Sequence, residues 1–532
     1  MKSLLAFEKG EPSNKWFYIA AIFLLFPALL INLGILTFID DEGIRSLVAL
    51  EMKLSGNYIT PTMMGDYYYN KPPLYNWILL IFFNLFGFID EWSARIPTVL
   101  ALMGYAFTVY YFFRKHFSKE NAFLNAFFLI TCGRILFWDS MLGLIDTCFS
   151  WVTFTSFMLV FHFYEKRNYW ALFLTTYLLT AVGFLMKGLP SIVFQGTTLI
   201  VFLIYKREFK RLFSIQHILS GLLCVTIIAS YYLVYSQYND LETVFQTLFS
   251  ESSKRTVVEF GIGKAVMHFL TFPFEMLYHF LPWSLMIIYF LRKDILNLIK
   301  SNSFITFNLL MFLSNILIYW TSPQVYPRYL LMMIPLIFSS YLYLHQIHQK
   351  ENTWQFKFLD KLFLVVCPLI AVLSFAPLFL ERTASVPYLI PKTLVWGIGL
   401  CAATFLYYRF KLKRLLSLVV FLLIFRIGFN WFVLPDRNGE DYGDVCRQTT
   451  FAAAKLAPEK KMYVYRYTVI QPTNGFYLTK TRGEIIPRKM DDFDLDAVYI
   501  INPKKYPEVV YKKIGSFHVR HGRKIYDIGI LK

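Results

Sequence analysis

Residues Leu74–Phe88 read LYNWILLIFFNLFGF, and the assignment of this stretch decides the topology of the whole chain. It is apolar throughout. As a helix its 15 residues cover roughly 22 Å at ~1.5 Å per residue, short of a ~30 Å hydrocarbon core. Counted as a span, it would invert the side of every basic connector that follows. It therefore reads as an interfacial or re-entrant helix. The stretch just before it, YYYNKPP at Tyr67–Pro73, then becomes a turn at the membrane boundary, with Lys71 held before two residues that restrict the backbone.

The rest of the chain agrees with a membrane setting. Of 532 residues, 56% are hydrophobic and 19% aromatic, and the mean hydropathy is +0.46. Apolar runs of about 18–23 residues recur between short polar connectors, the pattern of a polytopic helical membrane protein. About 13 spans are expected, near 16–38, 95–113, 121–138, 146–164, 169–186, 189–205, 214–236, 271–292, 303–320, 328–345, 362–380, 393–409 and 413–434. The first has no small-residue cleavage site after it and reads as a retained helix. Residues 42–54 form a further candidate surface helix. Ile44, Leu47, Val48 and Leu54 share one face, and Glu42, Arg45, Ser46 and Lys53 the other.

The net charge is +18, but it is not gathered into one basic domain, which argues against a nucleic-acid partner. Arg114, Lys115 and Lys119, then Lys166 and Arg167, then Lys206, Arg207, Lys210 and Arg211 sit in short connectors. Arg292 and Lys293, then Arg409, Lys411, Lys413 and Arg414, continue the series. Alternate connectors are poor in Lys and Arg, so the bias places the N-terminus in the cytoplasm and, with an odd number of spans, the C-terminus outside. The expected organisation is a transmembrane domain over 1–435, with long external loops at 39–94 and 237–270, and a small extracytoplasmic α/β domain over 436–532. Strand-like runs at Met462–Thr468, Ala497–Asn502 and Ile525–Leu531 and a helical run near 443–457 carry the last assignment. The six cysteines show no metal spacing, and neither metal nor cofactor is expected.

On this topology the unusual polar residues collect at the external boundary: Asp40, Asp41, Glu42, Lys71, Asp139, Asp146, Lys187, Arg255 and Arg328. Charge near hydrocarbon is costly and usually has a partner or a task. Each residue also has a plain reading. Asp41 and Glu42 suit a helix start; Lys71 suits a snorkelling lysine; Tyr67, Tyr68, Tyr69 and Trp77 suit an aromatic belt. Acids and bases together suit a site that binds an anion and moves a proton.

The same residues carry a resemblance. The segment IDDEGIRSLVALEMKLSGNYITPTMMGDYYYNKPPLYNW resembles the first-loop signature of the polyprenyl-phosphate-sugar-dependent glycosyltransferases. These have the C-type integral-membrane fold; the nearest branch holds the lipid A 4-amino-4-deoxy-L-arabinose transferase and protein O-mannosyltransferases. The matching features are Asp41-Glu42, Ser55-Gly56-Asn57-Tyr58, Tyr68 and Lys71-Pro72-Pro73. GLIDTCFSW at Asp146, LMKGLP at Lys187-Gly188, SESSKRT at Arg255, FLPW at Phe280–Trp283 and YPRYLLMMIP at Pro327 and Tyr329 follow in the same order. The departures are Asn70 where a glutamate usually precedes Lys-Pro, Arg45 near the place of an aromatic, Ser252 near that of a histidine, and Pro323 and Val325 near those of two lysines.

The resemblance implies an inverting transfer from a polyprenyl phosphate, undecaprenyl phosphate in a bacterium, to a lipid A, glycan or protein acceptor at the outer face of the inner membrane, by a monomeric enzyme. It implies Asp41 as general base and Asp146 as the second catalytic carboxylate, with Asp139 the runner-up. Lys71, Arg255 and Arg328 would hold the phosphate. Glu42, Tyr68, Asp139, Lys187 and Tyr329 would complete the donor and acceptor contacts. A transporter or flippase of an anionic lipid is the alternative, and it would need charges lining a path through both leaflets.

Overall fold

The computed structural model describes residues 14–253, 261–440, 443–519 and 523–532. The N-terminal part is helical. Helix α1 (Asn14–Leu30) leads through a turn to α2 (Glu42–Ser55), a short hairpin of β1 (Thr62–Met63) and β2 (Asp66–Tyr67), then α3 (Leu74–Phe86) and α4 (Glu91–Phe113). Helix α3 is 13 residues long and stops at Gly87, whose φ of 72° suits glycine. It is too short to span, as its length in sequence implied. Helix α4 opens with a capping box between Asp90 and Ser93.

Eight helices among the described residues are long and apolar enough to cross a membrane, or nine if the bent pair Lys119–Thr131 and Gly133–Met141 is one span. The expected count of thirteen is not reached, for three physical reasons. Asn14–Leu30 and Pro190–Tyr205 are apolar but short. Ile145–Glu165 is long enough, but threonines, serines and Asp146 dilute its apolar character. The run at 271–292 is not one helix: Ile262–His279 ends, and a 3-10 turn of chain over Trp283–Phe290 follows. Pro282 has no N–H to continue the ladder. The preceding carbonyl of Leu281 instead accepts from Gly133 N at 2.6 Å. Trp283 stacks on Phe128 at 3.6 Å and donates to the Thr131 hydroxyl. The outer faces of the spans expose large apolar side chains such as Phe107, Val365 and Val372, the surface a lipid phase would cover.

Near the C-terminus, helix Gly443–Ala454 precedes a mixed five-stranded sheet of β3 (Met462–Tyr465), β4 (Arg488–Lys489), β5 (Val498–Ile501), β6 (Tyr511–Val519) and β7 (Lys524–Leu531). The strand order is β4-β3-β5-β7-β6. Strand β3 runs parallel to β4 and β5, and β7 is antiparallel to β5 and β6. Helix Pro472–Arg482 makes the β3-to-β4 crossover.

That crossover helix lies directly on α2. A Cβ on Gly43 would meet Thr473 Oγ1 at 2.6 Å and Thr473 N at 2.8 Å, so only hydrogen fits there, and one on Gly475 would meet Met64 Sδ at 2.7 Å. Phe476 meets Phe38 edge to face at 4.9 Å. The Tyr477 hydroxyl donates to Glu91 at 2.6 Å, and Arg447 pairs with the same carboxylate at 3.2 Å. Most of α2 is therefore not a half-exposed surface helix: Glu42, Arg45 and Ser46 of its polar face are buried along with Leu47 and Val48, while its last turn, with Lys53 and Leu54, is exposed. Glu51 is fully buried too, and accepts from Thr62 Oγ1, Met64 N and Gly65 N of the hairpin. Burial raises its pKa, and those three donors partly offset the shift.

Candidate active site

The first-loop turn is tied down from several sides. Tyr68 N donates to Pro61 O, Trp77 Nε1 to Tyr58 O, and the Tyr231 hydroxyl to Ile59 O. The Tyr69 hydroxyl accepts from Asn239. These bonds fix the backbone on both sides of Lys71 before Pro72-Pro73 starts α3. Beside this turn opens a cavity of about 570 Å³. Its wall includes Asp41, Arg45, Tyr68, Asn70, Lys71, Asp146, Lys187, Glu251 and Tyr329, with apolar side chains such as Val193, Phe194 and Leu248 between them. Side chains from five separate places in the sequence thus converge on one space.

The charges in and behind the wall are ordered. Asp146 pairs with Lys187 through Oδ1 and lies 3.3 Å from Arg328 Nε through Oδ2, a contact without hydrogen-bond alignment. Arg328 also pairs with Asp40. Lys187 ends its helix just before Gly188, whose φ of 85° turns the chain. Its ammonium sits 4.3 Å from the centre of the Tyr329 ring, within cation–π range. Asp146 is therefore committed to two cations. Asp41 is different: it is exposed, starts α2 without capping it through its side chain, and its carboxylate has no hydrogen bond or ion pair among the described residues. Tyr68 is buried, and burial raises its hydroxyl pKa, with the Arg45 guanidinium pulling the other way.

Two expected site residues face elsewhere. Glu42 is fully buried, and Arg95 takes both of its oxygens, at 2.8 and 2.9 Å. Glu42 also accepts from Ile39 N and Gly143 N. Arg95 spends its remaining N–H groups on the carbonyls of Leu33, Leu36 and Thr37, so all five of its donors are used. This cluster joins the α1–α2 turn to α4 and lies outside the cavity wall. Asp139 is buried against Arg134, with both oxygens near Nε, and is likewise not in the wall. Arg255 lies outside the described residues. The sequence reading left Arg95 and Glu251 out of the site and entered Arg45 only as a departure from a pattern. On a helix with one apolar face, Arg45 carried no signal that distinguished it from an arginine in water.

Comparisons with known proteins bear on this arrangement. The sequence pattern of the dolichyl-phosphate-mannose-protein mannosyltransferase family matches residues 70–235. An uncharacterised protein of Aquifex aeolicus is 36% identical over 86 residues, 16% of this chain and 20% of its own length. The undecaprenyl phosphate-alpha-4-amino-4-deoxy-L-arabinose arabinosyl transferase of Edwardsiella ictaluri is 25% identical over 201 residues, 37% of this chain and 36% of its own. The chain thus spans about half or less of the length of the curated relatives it matches. In three dimensions the likeness is broader. The crystal structure of ArnT from Cupriavidus metallidurans in the apo state aligns over 97% of this chain and 98% of its own, with a TM-score of 0.69 at 16% identity. The same protein bound to undecaprenyl phosphate gives 0.68 at 17%. At such identities the likeness establishes the fold. The resemblance read from the first loop therefore extends, as fold, along nearly the whole chain.

Proposed function

We propose that the protein is an inverting glycosyltransferase that takes a sugar from a polyprenyl phosphate and passes it to an acceptor hydroxyl at the extracytoplasmic membrane boundary. The observation that carries this reading is a cavity whose wall holds the carboxylate of Asp41, unpaired among the described residues, together with Arg45, Lys71 and Lys187. The relatives named for undecaprenyl-phosphate-linked donors support the donor class. The basic connectors support an N-terminus in the cytoplasm, with the cavity and the C-terminal sheet on the opposite side.

The chemistry follows from the wall. Asp41 takes the proton of the acceptor hydroxyl as its oxygen attacks the anomeric carbon. The bond from that carbon to the phosphate oxygen breaks, and polyprenyl phosphate leaves with the extra negative charge. Cations already in place where that charge develops favour departure. Lys71 in the wall and Arg328 behind it supply them, Arg255 is assigned the same task by the sequence resemblance alone, and Tyr68 and Tyr329 hydrogen-bond or stack on the donor. Asp146 positions Lys187 and Arg328 and is too tightly paired to be the base. A flippase would need charge along a path through both leaflets, whereas the charges named here surround one cavity.

A transfer assay with a panel of undecaprenyl-phosphate-linked sugars tests the reading; no transfer from any of them would sink it. Within that assay, Lys71→Ala is expected to raise the donor KM by ~10–100-fold, the range for losing a charged hydrogen bond. An unchanged donor KM removes Lys71 from the phosphate. Because the leaving phosphate faces fixed cations, transfer is expected to persist in excess chelator, and its abolition would show that a metal takes part.

A further inference from the structure

Arg45 has a combination of properties that the mechanism above does not use. It is 4% exposed, yet it forms part of the cavity wall. Its Nη2 donates to the Tyr68 hydroxyl, and its guanidinium lies 5.1 Å from the centre of that ring. Its Nη1 has no acceptor among the described residues. No carboxylate lies within ion-pair distance of it among the described residues, although Asp41 and Glu251 line the same cavity. Of the other buried arginines, Arg95 and Arg328 each have a carboxylate, while Arg426 bonds to Asn430 and lies outside this cavity.

A buried cation without a counter-charge is costly, because desolvation is not repaid by attraction. An arginine also cannot escape the cost by losing its proton. Such a residue is expected to gain most from an anion delivered by a ligand, and the cavity provides room for one. Arg45 stands one helical turn from Asp41 on α2 and holds Tyr68, three residues before Lys71. An oxyanion bound at Nη1 would therefore sit beside both the base and the phosphate-binding turn.

We propose that Arg45 is an anion-binding residue of this cavity, and that its ligand is an oxyanion of the donor, either the phosphate or a carboxylate on the sugar. This rests on the transferase reading. The planar fork of the guanidinium suits either group, since both offer two oxygens in one plane. If the phosphate is the ligand, Arg45 adds a further cation to the leaving group. If it is the sugar carboxylate, the enzyme uses an acidic sugar, and Arg45 selects it.

The test uses the full chain in detergent, with undecaprenyl phosphate as the first probe and undecaprenyl-phosphate-linked hexose and hexuronic acid as the second and third. Arg45→Met and Arg45→Gln remove the charge; Arg45→Lys keeps it. Phosphate as the ligand predicts a ~10–100-fold loss of affinity for all three probes in the neutral variants, and less in the lysine variant. Carboxylate as the ligand predicts that loss for the hexuronic acid donor alone. The ligand-free melting temperature of Arg45→Met is expected to equal or exceed that of the parent, because an unpaired buried charge has gone. If Arg45→Met does not fold, the comparison of Gln with Lys carries the test. Equal affinity of the variants for every probe overturns the proposal. The broader reading fails in another way, with wild-type protein that binds undecaprenyl phosphate yet transfers no sugar.

Discussion

Replacing Asp41 with asparagine is expected to lower the rate of sugar transfer by about 10²–10⁴-fold, the usual contribution of a positioned general base. Asparagine keeps the size and planarity of the side chain but cannot take a proton. The substitution is unusually clean here, because the carboxylate makes no hydrogen bond or ion pair among the described residues that its loss would break. The melting temperature should therefore stay near that of the parent. Donor affinity should change little, so the loss falls on kcat and leaves KM nearly unchanged. Steady-state rates with a fixed donor and varied acceptor read this directly. Transfer at the parent rate would show that Asp41 is not the base.

Glu42→Gln is expected to damage the fold instead, by about 3–5 kcal/mol, the range for removing one partner of a buried ion pair. The glutamine amide would face N–H donors from Arg95, Ile39 or Gly143 with N–H groups of its own. Arg95, 1% exposed, would keep its charge without a counter-ion. The readout is denaturation in detergent, with transfer normalised to folded protein. A double-mutant cycle with Arg95→Met adds a check, because the pair should couple strongly and the double variant should recover part of the loss. A Glu42→Gln protein of parental stability that loses donor affinity would return Glu42 to the ligand contacts. The neighbours Asp41 and Glu42 thus differ sharply in expected effect: one acts on the rate and the other on the fold.

What the sequence disclosed follows from how local each signal is. The length of LYNWILLIFFNLFGF and the glycine at 87 are read along the chain, and α3 ends where they say. Lys71, Asp146, Lys187 and Tyr329 stood out because charge and tyrosine interrupt apolar runs, and they do share one cavity. Span counting failed where hydropathy averages over a break: Pro282 lies within an apolar run, so the run reads as continuous although its backbone is not. Glu42 and Arg95 could not be paired by inspection, since 53 positions separate them. The burial of α2 was hidden for the same reason. Its amphipathic pattern predicts one wet face, but Arg95 and Gly143 cover Glu42 and Tyr68 covers Arg45, while a helix at the far end of the chain packs on Gly43 and Leu47.

That distant cover has a consequence for biosynthesis. Glu91 at the start of α4 bonds to Tyr477, 386 positions later in the chain. At ~5–20 residues per second, a ribosome needs roughly 20–80 s to cover that interval. For all of that time α2, with Asp41 at its tip and Arg45 along its side, stands without the crossover helix that buries it. Every residue of the cavity wall precedes position 330, so a nascent chain can gather that wall before the sheet domain that packs on α2 has emerged.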